Sequence, residues 1–136
     1  MPKRLLIVDD EVGISALIER VAEPLGYSVS VANDSMYFMR LYEAIAPDVV
    51  MVDIFMPGYD GIEIMRQLVQ AKCTARVLFM SGADDFFLQS VLRLAADMGL
   101  QDIGMMTKPI RIDDLRAYLM ADPLPTVASL AHLPAA

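Results

Sequence analysis

Five short apolar runs, each followed by a stretch of helical period, constrain this chain more than any other feature. Few folds accept that alternation. Residues 4–8, 27–32, 48–52, 76–80 and 103–107 read as strands. Residues 27–32 alternate and are rich in β-branched side chains, the pattern of a half-buried strand. Val49-Val50-Met51-Val52 is continuously apolar, which marks a strand covered on both faces. Between the runs, residues 11–25 place Ile14, Leu17, Ile18, Val21 and Leu25 on one helical face, and Gly26 follows as a stop. Asn33-Asp34-Ser35 offers a cap to a second helix that Pro47 ends. Residues 60–72 carry Ile64, Leu68 and Ala71 on one side, with Met65 and Val69 nearby. Residues 83–98 repeat the pattern through Leu88, Val91, Leu92 and Ala95 before Gly99, and residues 112–120 form the last helix.

A β-then-α unit repeated about five times implies an α/β fold with a parallel sheet and helices on both faces. Right-handed crossovers leave few topologies. The expected one is the (βα)5 flavodoxin-like, doubly wound sheet of order 2-1-3-4-5. Residues 1–121 form that domain. Residues 122–136 read as a tail or linker, with Pro123, Pro125 and Pro134 among Ala, Ser and Leu and no charge after Asp122.

The residues that end the apolar runs carry the chemistry. Asp9 and Asp10 close the first, Asp53 the third, Ser81 the fourth, and Lys108-Pro109 the fifth. In an open parallel sheet the carboxyl ends of the strands share one edge, where ligands bind. The first and third strands are neighbours in this order, so Asp9, Asp10 and Asp53 meet at the switch point, with a hydroxyl and an amine beside them. Two carboxylates about 4 Å apart repel by roughly 4 kcal/mol at an effective dielectric near 20. Three therefore require a cation or raised pKa values. Lys108 offers one positive charge, and Mg²⁺ offers two with a preference for oxygen ligands. Phosphoryl transfer uses such parts, because its catalysis is mostly positioning and charge neutralisation, and a carboxylate can itself be the nucleophile.

Bulk properties narrow the partners. A net charge of −7 argues against nucleic acid as a direct ligand. Cys73 is alone, so no internal disulfide is possible and a reducing compartment is expected. The first apolar run stops at Asp9-Asp10-Glu11, too short for a signal peptide, and no run approaches the ~20 apolar residues of a membrane span. The chain is read as cytoplasmic and without a membrane partner.

The combined motifs resemble the receiver domain of two-component response regulators, CheY-like in type. They are Val8-Asp9-Asp10-Glu11, Asp53-Ile54-Phe55-Met56-Pro57-Gly58 with Asp60-Gly61-Ile62-Glu63, Phe79-Met80-Ser81-Gly82, and Lys108-Pro109. The resemblance covers residues 3–121. It implies that Asp53 is the phosphoacceptor and that Asp10 and Asp53 bind Mg²⁺ (or Mn²⁺), with Asp9 binding it directly or through water. The backbone carbonyl of Phe55 would be a further ligand. Ser81 and Lys108 would bind phosphoryl oxygens, Gly82 would leave room for the group, and Lys108-Pro109 would be cis. The donor would be a sensor histidine kinase or a phosphotransfer protein, and the signal would pass from the fourth helix, fifth strand and fifth helix to a downstream protein or output domain. The domain would catalyse only its own phosphorylation and dephosphorylation and would not be an enzyme with a separate substrate.

Two features depart from the family pattern. Met105 stands three residues before Lys108, where the family usually has an aromatic switch residue that works with Ser81. Gly99 to Lys108 is about two residues longer than usual, weakly resembling receivers that precede cyclic-di-GMP phosphodiesterase domains. A haloacid-dehalogenase-type phosphatase is a rival reading, but it needs a second Asp where Phe55 stands. A phosphorylation-independent interaction module on the same fold is another rival.

Overall fold

Side chains alternate along a strand, and in this chain that alternation divides the core in two. The computed structural model describes residues 3–33, 35–54, 61–82, 85–100 and 102–121. Strands β1 (Lys3–Val8), β2 (Tyr27–Ala32), β3 (Val49–Asp53), β4 (Arg76–Ser81) and β5 (Ile103–Thr107) alternate with helices α1 (Val12–Ala22), α2 (Phe38–Ile45), α3 (Gly61–Gln70), α4 (Asp85–Asp97) and α5 (Ile112–Met120). The strands form one parallel sheet in the order β2-β1-β3-β4-β5, the order expected from sequence.

Leu6, Val8, Val50, Val52, Val77 and Phe79 face one side of the sheet. They pack with Phe38 of α2, Ile64, Met65 and Leu68 of α3, and Val91, Leu92 and Ala95 of α4. Leu5, Ile7, Val49, Met51, Leu78 and Met80 face the other, with Ile18, Val21 and Ala22 of α1 and Leu115, Tyr118 and Leu119 of α5. The three central strands are therefore apolar without a break over residues 5–8, 49–52 and 77–80, where both faces are covered. Tyr27 spans the second layer: its hydroxyl donates to the Leu119 carbonyl at 2.8 Å and ties β2 to the end of α5.

Helix ends differ most from the sequence reading in two places. Residues 11–25 are not one helix. α1 stops at Ala22, and Glu23–Leu25 form a 3-10 turn that begins around Pro24. Proline has no N–H to continue the i→i−4 ladder. Gly26, at φ +95°, closes that turn and donates to Glu23 O at 3.0 Å. Likewise α2 begins only at Phe38, after a 3-10 turn at Ser35–Tyr37, and its N-cap residue Tyr37 makes no side-chain capping bond. Asp34, residues 55–60 (with the loop expected at 56–59), residues 83–84 and the expected tail at 122–136 lie outside the described residues.

Candidate functional site

Register brings the acids together. Val8 of β1 is paired with Val52 of β3, so the next residues, Asp9 and Asp53, are neighbours where the two strands leave the sheet. Carboxylate oxygens of Asp9, Asp10 and Asp53 all lie within 4.8 Å of one another. Asp9 and Asp53 are almost fully buried, at 0% and 2% exposure, while Asp10 is exposed. Asp9 is held by its own loop: Oδ1 accepts from the Glu11 N–H at 2.8 Å. Asp53 is paired in register with Met80 of β4, so Ser81, itself fully buried, follows on the adjoining strand.

Lys108 enters from β5. Its backbone N–H donates to Ser81 O at 2.8 Å, and the Lys108–Pro109 peptide bond is cis. The side chain is 13% exposed, and its ammonium lies 3.0 Å from Asp9 Oδ2 and 3.3 Å from Asp53 Oδ2. The third partner is Glu11, whose Oε1 accepts from Nζ at 3.1 Å. Burial alone would lower the Lys108 pKa. The carboxylates of Asp9 and Glu11, with the charge of Asp53, outweigh it and hold the pKa above the ordinary lysine value.

Glu11 was not singled out by the sequence reading. It stands 97 positions from Lys108, and no local pattern links the two. Its place directly after Asp9-Asp10 and just before α1 was the available signal, since that position stays on the site's edge of the sheet. Its presence alters the charge balance read from sequence: Asp9, Glu11 and Asp53 all pair with the one ammonium, and Asp10 makes a fourth acid at the site.

Among the remaining expected site residues, a Cβ on Gly82 would meet no described atom within 4 Å, so that position opens onto space. Phe55 lies outside the described residues. Met105 is half-buried and packs on the α2–α3–α4 face of the sheet.

The three-carboxylate set suits a hard divalent cation. It is all oxygen, two of its members are buried, and its negative charge exceeds what Lys108 neutralises. The helices that follow the strands begin at this same edge. Their N-terminal N–H groups add positive potential there, which favours an anion. A doubly wound α/β domain with an acidic cluster that could hold a metal ion at its topological switch point is thereby defined.

Comparison with known proteins assigns that domain. The family model for the response regulator receiver domain matches residues 5–120. The chain belongs to this family. It is 35% identical over 121 residues to the alkaline phosphatase synthesis transcriptional regulatory protein PhoP of Bacillus subtilis, covering 89% of this chain and 48% of that one. It is 31% identical over 121 residues to sporulation initiation phosphotransferase F of the same organism, covering 85% and 90%. A solved response regulator from Colwellia psychrerythraea superposes with a TM-score of 0.77 at 32% identity, covering 88% and 94%. The receiver domain is a phosphoacceptor switch of two-component signalling.

The chain spans about half the length of several of the relatives it matches, some of them named transcriptional regulators. The argument from acidic charge against nucleic acid therefore concerns these 136 residues alone. Among the described residues no helix is long and apolar enough to cross a membrane.

Proposed function

We propose that Asp53 is the phosphoacceptor of this domain and that Mg²⁺ is its cofactor. The observation that carries the reading is the convergence of Asp9, Asp10 and Asp53 within 4.8 Å, with Lys108 at 3.3 Å from Asp53. A carboxylate oxygen of Asp53 forms the bond to phosphorus as the P–N bond of a phosphohistidine breaks. The imidazole leaves with the electron pair and takes up a proton. Asp9, Asp10 and Asp53, with the Phe55 carbonyl, would hold the metal, which supplies charge neutralisation at the phosphoryl oxygens when bound. Lys108 pairs with one phosphoryl oxygen and Ser81 donates to another.

The donor is a sensor histidine kinase or a phosphotransfer protein. Phosphorylation adds about −1.5 to −2 charge and three acceptor oxygens at one strand end. Recruiting Ser81 and Lys108 to that charge biases a two-state surface formed by α4, β5 and α5, which passes the signal to a downstream protein or output domain. The chemistry is confined to Asp53 itself, so the domain has no separate substrate, and its place is the cytoplasm.

The test is intact-mass measurement after incubation with acetyl phosphate and Mg²⁺. One added phosphoryl group is expected on the unaltered chain and none on Asp53→Asn. No added group on the unaltered chain, under conditions that slow hydrolysis, refutes the reading and favours a phosphorylation-independent module.

A further inference from the structure

Before any phosphoryl group arrives, the Lys108 ammonium already lies among three carboxylates and donates a hydrogen bond to one of them, Glu11 Oε1. Asp9 Oδ2 lies at 3.0 Å, Glu11 Oε1 at 3.1 Å and Asp53 Oδ2 at 3.3 Å. A phosphoryl oxygen that pairs with Nζ competes with these three carboxylates for it. Asp9 and Asp53 are fixed by burial at strand ends. Glu11 is different: its side chain is 59% exposed, so it returns to water at little cost. Its backbone already starts α1 and makes no side-chain capping bond. Among the described residues, the polar partner of its carboxylate is Lys108.

We propose that Glu11 is a positioning residue that restrains Lys108: it holds the ammonium at the pocket mouth and must release it for a phosphoryl group to be bound. The proposal rests on the reading of Asp53 as phosphoacceptor. Glu11 touches neither the phosphorus nor the attacking oxygen, and acts through the amine. Because the bond is a solvent-facing ion pair, its loss is worth a small factor, about twofold to fivefold.

The experiment compares the unaltered chain, Glu11→Gln and Glu11→Asp, all with Mg²⁺. Loading by acetyl phosphate is followed by intact mass, and equilibrium affinity for the phosphoryl mimic beryllofluoride is measured separately by NMR. Glu11→Gln keeps the length and removes the charge. Glu11→Asp keeps the charge and withdraws it by one methylene, beyond reach of Lys108. Restraint through Lys108 requires both variants to load faster and to bind the mimic more tightly, by about the same twofold to fivefold. If only Glu11→Gln gains, Glu11 acts as a charge that repels anions, and the proposal fails. If both variants load more slowly, Glu11 organises Lys108 for the reaction, and the proposal also fails. If the unaltered chain neither loads nor binds the mimic, the reading of Asp53 falls first and takes this one with it.

Discussion

Neutralising Asp53 in the metal-free protein is expected to stabilise it. Asp9 and Asp53 are both buried, with oxygens within 4.8 Å. At an effective dielectric near 20 that pair repels by about 3.5 kcal/mol. Asp10 is exposed, so its repulsion of Asp53 is closer to water's value, about 1 kcal/mol. Against these stands the attraction of Lys108 at 3.3 Å, about 5 kcal/mol on the same scale. Over these three neighbours the Coulomb sum for Asp53 is thus near zero. Taking a carboxylate almost fully out of water costs several kcal/mol. An Asn at 53 keeps the shape and costs only ~1–3 kcal/mol where its amide is imperfectly paired. The net gain for Asp53→Asn is about 2 kcal/mol, or roughly 7 °C in melting temperature for a domain of this size. Calorimetry in EDTA measures it directly. A second arm adds Mg²⁺: at tenfold its dissociation constant, binding should raise the stability of the unaltered chain by about 1.4 kcal/mol, and should raise Asp53→Asn by much less. An Asp53→Asn chain that melts at or below the unaltered one in EDTA would show that Lys108 more than offsets the crowded acids, and the charge argument would be wrong.

Three further outcomes are expected. Stability should fall as pH rises above about 10. Lys108 is raised, against the pull of its burial, by Asp9 and Glu11, and Tyr118 is pushed up by burial to about 12. In both cases the folded chain holds its proton more tightly than the unfolded one, so the contribution is complete below the unfolded pKa and is lost as pH climbs through the folded pKa. Alkaline melts should show the decline, which should become smaller in Tyr118→Phe. Leu78→Ala, at a fully buried position on the α1–α5 face, should cost about 2–5 kcal/mol in urea unfolding; a loss under 1 kcal/mol would contradict the packing. Met105→Tyr should change how phosphorylation alters the NMR shifts of α4, because Met has many accessible rotamers and no ring hydroxyl to engage Ser81. Identical responses in the two chains would leave Met105 as a core filler.

Sequence alone determined the elements and their order. Period-2 and period-3.6 patterns are local properties of the chain, and right-handed crossovers then leave few sheet orders, among which 2-1-3-4-5 was the one expected. The same logic put Asp9, Asp10, Asp53 and Lys108 at a common edge, because each closes a strand and all parallel strands end on that edge. Tertiary structure decided what local pattern cannot encode. It decided that Glu11 closes on Lys108 across 97 positions, since that contact depends on where two separate loops leave the sheet. It also decided which polar groups are dry: Asp9 and Asp10 are adjacent in sequence, yet one is buried and the other exposed. Consecutive residues leaving a strand point to opposite sides, and only the packed neighbours determine which side is closed to water.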